Sequence, residues 1–390
     1  RLSQASIETN AFTTVDMTGY YMKGLSTSHD MMVDMFSHSF ANPRYDGEVF
    51  DAEMAAVQNE LQNIASSTWY PHDIAQRELL YAGTPLAKHE DIKIRNVQRL
   101  RDSADGMREL MRWRQANYNP SLCTLFVCGS LPESSYRRML DTLGRLEPTA
   151  GLPRISRPIA AVPPDAMVSA SMEGERMHRV SFVFDARRAS GEPVTSFLFQ
   201  ERAMMDLVSS VLSGAGLGAR LYRRLRTTEK LIYAVSSGSS LEGCGRLRGK
   251  FIIDTKFQVG SDRDARGQLR KVVTAVTEEL GELAASGVTD AEMQQWHRAV
   301  RVNMIVARGI RDSRAVAATS YFEYVSYVIP QLTYWDTEGP LRSYLGCVAP
   351  REVIDHEGYV RVMGSLRQQD VNAFARAMFL STMQIIHTVP

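Results

Sequence analysis

The tetrapeptide Asp-Ala-Glu-Met occurs twice in the chain, at residues 51–54 and again at residues 290–293. Each copy stands at what reads as the start of a helix, which indicates that one α/β unit is present in duplicate. A chain of 390 residues is too long for one ordinary core and has room for two domains of about 150 to 200 residues each. The copies diverge after the tetrapeptide, and one difference concerns a carboxylate. Seven residues after the glutamate, the first has Glu60 and the second has Ala299.

The predicted elements follow the same order in both halves of the chain. In the first half they are a hairpin at residues 10–25, helices at 28–39 and 51–64 with a loop at 42–49 between them, a strand within 117–133 and a helix at 134–146. In the second half they are a strand at 177–186, a helix at 194–212, a hairpin formed by 233–240 and 247–257, a helix at 262–285 and another beginning within 288–293. We therefore predict an α+β protein of two homologous domains, each an antiparallel-rich sheet packed with helices.

The boundary between the domains is predicted from a proline-rich stretch. Residues 148–166 contain five prolines, which is typical of a linker. The predicted domains are residues 1–149 and 167–390, with a linker at residues 150–166. In the second domain a strand and a long helix precede the hairpin, whereas only nine residues precede Asn10 in the first. We therefore expect the first domain to lack its front strand and helix, which would lie upstream of Arg1.

Composition excludes several classes of function. The chain has 45 Lys and Arg against 44 Asp and Glu, and its net charge of +1 gives no global field that would attract nucleic acid. No apolar run is long enough to cross a bilayer. The four cysteines (Cys123, Cys128, Cys244 and Cys347) have no C-x-x-C spacing. Free thiols in a reducing compartment, such as the cytoplasm or the mitochondrial matrix, are therefore favoured over zinc or disulfide roles. We expect no nucleic-acid partner and no membrane span.

Three motifs follow one another along the chain: Asn-Ala-Phe-Thr at residues 10–13, two glutamates seven apart at Glu53 and Glu60, and LRTTEKLIYAVSSG at residues 225–238. Together, and in this order, they resemble the pitrilysin or insulinase family of zinc peptidases, the inverzincins of family M16. The resemblance implies a LuxS/pitrilysin-like metallohydrolase fold whose halves enclose a chamber. It also implies Zn²⁺ held by the two histidines of an HxxEH motif and a glutamate far downstream. The chain has no HxxEH motif, so the resemblance places that motif before Arg1.

By this resemblance Glu60 is the zinc ligand and Glu53 is a neighbour that orients the site. Catalytic zinc takes three protein ligands and lowers the pKa of the water in its fourth position. Residues seven apart share a helix face, because seven steps of about 100° nearly close two turns. Judged from this helix alone, Glu53 and Glu60 are interpreted as two solvated carboxylates. The presence of the other motifs in order favours a zinc site instead. The second copy has Ala299 at the ligand position and no histidine in residues 200–214, so it cannot hold zinc.

The resemblance assigns two further groups of residues. Arg226 and Tyr233, again seven apart, would be catalytic residues that hold the substrate backbone near the scissile carbonyl, because a guanidinium and a phenol are fixed hydrogen-bond donors. Asn10, Ala11 and Phe12 would form an edge strand that pairs with an extended peptide by β-augmentation. The alternatives are an ordinary surface arginine with a core tyrosine, and a hairpin strand without a binding role.

Two function classes follow from these residues. We expect a zinc metalloendopeptidase that cuts extended oligopeptides or presequences in a closed chamber, and we expect this chain alone to be inactive, because one glutamate is not a zinc site. Its partners would be the peptide substrate and a second two-domain half or homologous subunit. The alternative is a non-catalytic relative, such as a core subunit of respiratory complex III or the partner subunit of the mitochondrial processing peptidase.

Overall fold

A computed structural model gives the structure of the protein and describes residues 7–13, 18–41, 43, 46–82, 87, 89–118, 125, 132–145, 167–171, 177–187, 189–191, 199–214, 218–240, 250–259, 265–312, 356–381 and 383–389. Within these ranges the chain forms seven strands and eleven α-helices. The fold is α+β, so the predicted fold class is confirmed. None of the helices in the described ranges is long and apolar enough to cross a membrane.

The elements are numbered in chain order over the described residues. The strands are β1 (Glu8–Thr13), β2 (Thr18–Lys23), β3 (Met167–Ser171), β4 (His178–Asp185), β5 (Ala234–Ser240), β6 (Lys250–Phe257) and β7 (Met383–Val389). The helices are α1 (His29–Ala41), α2 (Gly47–Ala65), α3 (Tyr70–Leu80), α4 (His89–Asp102), α5 (Gly106–Asn117), α6 (Glu133–Leu143), α7 (Phe199–Ser213), α8 (Ala265–Ser286), α9 (Asp290–Asp312), α10 (His356–Ser365) and α11 (Gln368–Phe379). A seven-residue π-helix spans Tyr222–Thr228.

The chain divides into two compact units. The first comprises Arg1–Ser67 and Lys88–Arg157, and the second comprises Thr68–Ala87 and Pro158–Pro390. Helix α3 therefore belongs to the second unit, although the chain places it between two helices of the first. The predicted linker at residues 150–166 and the four cysteines lie outside the described residues.

The first unit combines the β1–β2 hairpin with five helices among its described residues. The two strands pair antiparallel. Helix α1 packs on α6, where Arg138 lies 2.6 Å from the Asp30 carboxylate and 3.1 Å from that of Asp34. Helix α4 packs on α5, where the Arg99 guanidinium donates two hydrogen bonds to Glu109, of 2.6 and 2.7 Å. Ion pairs at the surface thus join α1 with α6 and α4 with α5.

The start of α2 differs from the prediction. Asp46 caps the helix, and its side chain accepts a hydrogen bond of 2.9 Å from the backbone N–H of Val49. The helix begins at Gly47, so the prediction that Asp51 opens it is wrong, and residues 47–49 of the predicted loop are helical. Asp46 provides the N-cap that Asp51 was expected to provide, one turn earlier. Helix α9, by contrast, begins at Asp290 as predicted. The repeated tetrapeptide therefore lies in the second turn of α2 but in the first turn of α9.

The second unit is built on a five-stranded sheet with the order β3-β7-β4-β6-β5. Strands β3 and β7 pair in parallel and the other neighbours pair antiparallel. Strand β5 therefore forms one edge of this sheet in the described part of the chain.

Alternate residues of β4 face opposite sides of this sheet. Phe182 and Phe184 pack in a large core with side chains of α7, α8, α9 and α11. Val183 packs instead with Ala75 of α3 and Ile386 of β7. Helices therefore cover both faces of β4, which explains why all of its residues except Arg179 are buried, the polar ones included.

Both hairpins predicted from the sequence are confirmed. They are β1–β2 and β5–β6, and each is followed by two helices, α1 and α2 or α8 and α9. The helix predicted at residues 194–212 is α7, which the structure describes from Phe199 onward. The strand predicted within residues 117–133 lies largely outside the described residues.

Candidate active site

Glu53 and Glu60 lie on one exposed face of α2. Both side chains are exposed, and neither forms an ion pair within the described ranges. At about 100° per residue, positions 49, 53, 60 and 64 fall within a narrow arc of the helix. The apolar members of that arc are exposed as well, Val49 by 51% and Ile64 by 44%. The two carboxylates therefore stand on a helix face that no described part of the chain buries.

The described residues do not form a metal site by themselves. No group of three or more His, Cys, Asp or Glu side chains in the described ranges could hold a metal ion. Glu60 would provide one carboxylate oxygen ligand, whereas a catalytic zinc needs three protein ligands. A zinc ion therefore does not fit these residues without ligands from elsewhere.

Arg226 and Tyr233 are brought together in the second unit. The Arg226 guanidinium carbon lies 5.4 Å from the centre of the Tyr233 ring. Arg226 is exposed near the end of the π-helix, and Tyr233 is 64% exposed just before β5. The guanidinium also lies 5.1 Å from the centre of the Tyr222 ring. Sequence reasoning missed Tyr222, although a tyrosine four positions before an arginine in a helix is a signal for such a contact.

Asn10, Ala11 and Phe12 lie on β1 and are exposed. Strand β1 pairs with β2 on one side, and in the described ranges no other strand pairs with it. The Phe12 ring lies across Gly19 of β2, where an added Cβ would be 2.3 Å from a Phe12 ring carbon. Strand β1 thus offers a backbone edge of the kind that an added strand can use.

A buried polar network, which sequence reasoning missed, lies on the α3 side of the second unit's sheet. His72 Nε2 is 2.7 Å from Ser181 Oγ, and Ser181 Oγ donates to Asp254. His72 Nδ1 contacts Thr388 Oγ1. Because the Ser181 hydroxyl proton goes to Asp254, His72 must donate from Nε2–H and accept from Thr388 at Nδ1. Burial lowers the pKa of His72 to about 3, so the ring is neutral.

Glu292, the counterpart of Glu53 in the repeated tetrapeptide, has a structural role. Arg220 donates from Nε and Nη2 to the two Glu292 oxygens at 2.7 Å each, and from Nη2 to the Gly287 carbonyl at 2.9 Å. Glu292 also accepts from the Thr289 N–H at 2.8 Å at the start of α9. Burial opposes ionisation, but the bonds from Arg220 and Thr289 lower the pKa of Glu292. The second copy therefore uses this glutamate to cap a helix and hold an arginine.

The predicted site residues are distributed over both units. Asn10, Ala11, Phe12, Glu53 and Glu60 belong to the first unit. The second unit contains the other two, Arg226 and Tyr233. The structure brings each pair together within its own unit: two carboxylates on one helix face, and a guanidinium against a phenol ring.

Two family models match the chain. The model described as "Insulinase (Peptidase family M16)" matches residues 1–88, which include Glu53 and Glu60. The model described as "Peptidase M16 inactive domain" matches residues 107–299, which include Arg226 and Tyr233. Together the matches span more than half of the chain. A search of curated proteins found no match.

Solved structures share the fold. The M16 inactive domain from Pseudomonas fluorescens is 18% identical with a TM-score of 0.70, and the match covers 100% of this chain and 82% of that one. A protease from Helicobacter pylori is 13% identical with a TM-score of 0.67, covering 100% of this chain and 84% of that one. The ferredoxin protease FusC, in complex with Arabidopsis ferredoxin, is 11% identical with a TM-score of 0.63, and the match covers 100% of this chain but 37% of FusC.

The resemblance that the sequence motifs indicated is thus confirmed by two family models that match successive parts of the chain and by the fold: the chain belongs to the insulinase family of peptidases, family M16.

Proposed function

We propose that the intact protein is a zinc metalloendopeptidase that hydrolyses extended oligopeptides or presequences. The observation that carries the proposal is the contact between Arg226 and Tyr233, 5.4 Å from guanidinium carbon to ring centre, on an exposed surface. A guanidinium and a phenol held together this way provide directed donors for a peptide carbonyl. A scaffold subunit has no need for such a pair.

In this proposal Glu60 is a zinc ligand and Glu53 orients the site, with the remaining ligands on a segment outside this chain. One exposed surface of the first unit supports it. Val49 and Ile64 flank the two glutamates on the same face of α2 and are exposed. A further helix packed on this apolar surface would bring its own ligands toward Glu60.

The substrate in this proposal is a peptide chain in extended form. Its backbone would pair with the exposed edge of β1 at residues 10–12, a mode that tolerates many sequences. FusC, which shares this fold, is a protease whose structure includes bound ferredoxin. By that analogy the substrate would be a polypeptide.

The test uses the full-length protein with any segment that precedes Arg1 in the gene. Glu60→Gln keeps the volume and removes the anionic ligand, so zinc content by elemental analysis and hydrolysis of a quenched fluorescent peptide should fall together. Tyr233→Phe removes one donor, so zinc should stay bound while kcat/KM falls by about 100- to 1,000-fold.

Matched controls are available for both changes. Glu48→Gln alters another exposed glutamate of α2 on a different face, and Tyr136→Phe alters another exposed tyrosine; both should leave zinc and turnover unchanged. Full-length parent protein that binds no zinc and cuts no peptide would instead support the non-catalytic alternative. Mixing the Glu60→Gln and Tyr233→Phe proteins should restore partial activity if a homologous subunit completes the site.

A further inference from the structure

The Arg226 guanidinium lies against two aromatic rings, and only one of them has a role in the proposed function. Its carbon is 5.4 Å from the centre of the Tyr233 ring and 5.1 Å from that of Tyr222. We propose that Tyr222 is a positioning residue that holds the Arg226 side chain beside Tyr233. The inference rests on the proposed function for its catalytic consequence and on the geometry alone for the contact.

The way Arg226 is held leaves its hydrogen-bond donors available. Arg226 forms no ion pair within the described residues. A carboxylate partner would occupy the N–H groups at the edge of the guanidinium, whereas a ring contacts its flat face. Two rings can therefore restrict an exposed arginine while its five donors remain directed outward, which a substrate-binding arginine requires.

Tyr222 is the better-anchored ring of the two. Its side chain is half-buried, and the backbone that carries it is flanked in sequence by the fully buried Leu221 and Leu225. Tyr233 is 64% exposed. The ring with less freedom fixes the position of the side chain that stacks on it, so Tyr222 rather than Tyr233 restricts Arg226.

The backbone around these residues is held at several points. The Leu225 carbonyl accepts from the Leu231 N–H at 2.7 Å, and the Tyr233 N–H donates to the Lys256 carbonyl at 2.6 Å. These bonds tie the π-helix to the segment that carries Tyr233 and tie that segment to β6. A π-helix is rare and often occurs at functional sites.

Arg224 forms ion pairs with the carboxylates near the π-helix. Its guanidinium pairs with Glu229 at 2.9 Å, with Glu278, and with Glu279 at 3.7 Å. The acidic groups that would otherwise attract Arg226 already have a cationic partner. Two arginines two positions apart thus have different tasks: Arg224 anchors the helix to α8, and Arg226 projects from it.

The test compares Tyr222→Phe, which keeps the ring, with Tyr222→Leu, which removes it. One cation–π contact at an exposed site changes a population by about 2- to 5-fold. Tyr222→Leu should therefore lower kcat/KM of the full-length protein by about 2- to 5-fold without lowering Tm. Tyr222→Phe should keep the kcat/KM of the parent. Tyr136→Leu, at another exposed tyrosine, serves as the control and should change neither quantity.

A second measurement does not depend on activity. In protein labelled with ¹⁵N-arginine, the Nε–Hε signal of Arg226, assigned with Arg226→Lys, should be shifted upfield by the two rings. Tyr222→Leu should move it toward the value of a free arginine, and Tyr222→Phe should not. An unmoved signal in Tyr222→Leu overturns the inference, whether or not the protein cuts peptides. A moved signal with unchanged kcat/KM overturns the positioning role. If the parent cuts no peptide, the proposed function fails while the signal still decides whether Tyr222 holds Arg226.

Discussion

Acid should destabilise the second unit through His72. This side chain is fully buried and neutral, donates to Ser181 and accepts from Thr388. Burial is the largest cause of its low pKa, and the positive charges of Arg179, His387 and Lys256 add to it. A proton on the ring would sit in a dry site among cations, so protonation favours the unfolded chain.

The sign and size follow from proton linkage. The ordinary pKa is 6.5 and the folded value is about 3, so the unfolded chain binds the proton first as the pH falls. The stability that neutral His72 contributes is complete above pH 6.5 and is lost progressively down to about pH 3. At pH 4 the loss from this group is about 3 kcal/mol, at about 1.4 kcal/mol per pH unit. Typical domains have a free energy of unfolding of about 5 to 15 kcal/mol, so the effect is measurable.

The assay is urea unfolding followed by circular dichroism at several pH values from 7 to 4. His72→Gln can donate and accept like the neutral ring but does not titrate in this range. Its free energy of unfolding should therefore fall by about 3 kcal/mol less than that of the parent between pH 7 and pH 4. His38→Gln, at an exposed histidine of α1, is the control. Carboxylates that titrate over the same range are common to all three proteins and cancel in the comparison. Equal losses for parent and His72→Gln would refute the reasoning.

Two further substitutions test packing. Arg220→Met should lower the free energy of unfolding by about 3 kcal/mol in urea titrations, because it leaves the Glu292 carboxylate without its bidentate partner; a loss below about 1 kcal/mol would contradict the importance of this pair. Gly106→Ala would place a Cβ 1.8 Å from the Leu100 carbonyl oxygen, so we expect a loss of about 1 to 3 kcal/mol. In Gly47→Ala the added Cβ meets nothing within 4 Å, so its free energy of unfolding should equal that of the parent. Equal Tm values for the two alanine variants would show that the junction of α4 and α5 accommodates the Cβ without destabilising the protein.

Much of the fold could be predicted because its signals are local. The hairpins β1–β2 and β5–β6 follow from alternation and turn residues, and α8 and α9 from apolar spacing. The position of Glu53 and Glu60 on one face follows from helix geometry alone. The start of α2 was placed four residues late, because Asp46 and Asp51 are both suitable caps and only the chain's path decides which one is used.

The sequence by itself therefore determined the order of the elements, the family motifs and the face on which the two glutamates lie, since each depends on residues within a few turns of one another. Tertiary structure alone decided that α3 joins the second unit, because His72 meets Thr388 across 316 positions and no spacing rule reaches so far. It also decided that Glu292 pairs with Arg220, 72 positions away, while its counterpart Glu53 stays exposed. The physical reason is burial, because the rest of the chain decides which side chains are removed from water. Burial lowers the pKa of a histidine such as His72, and it makes a glutamate such as Glu292 depend on a charged partner.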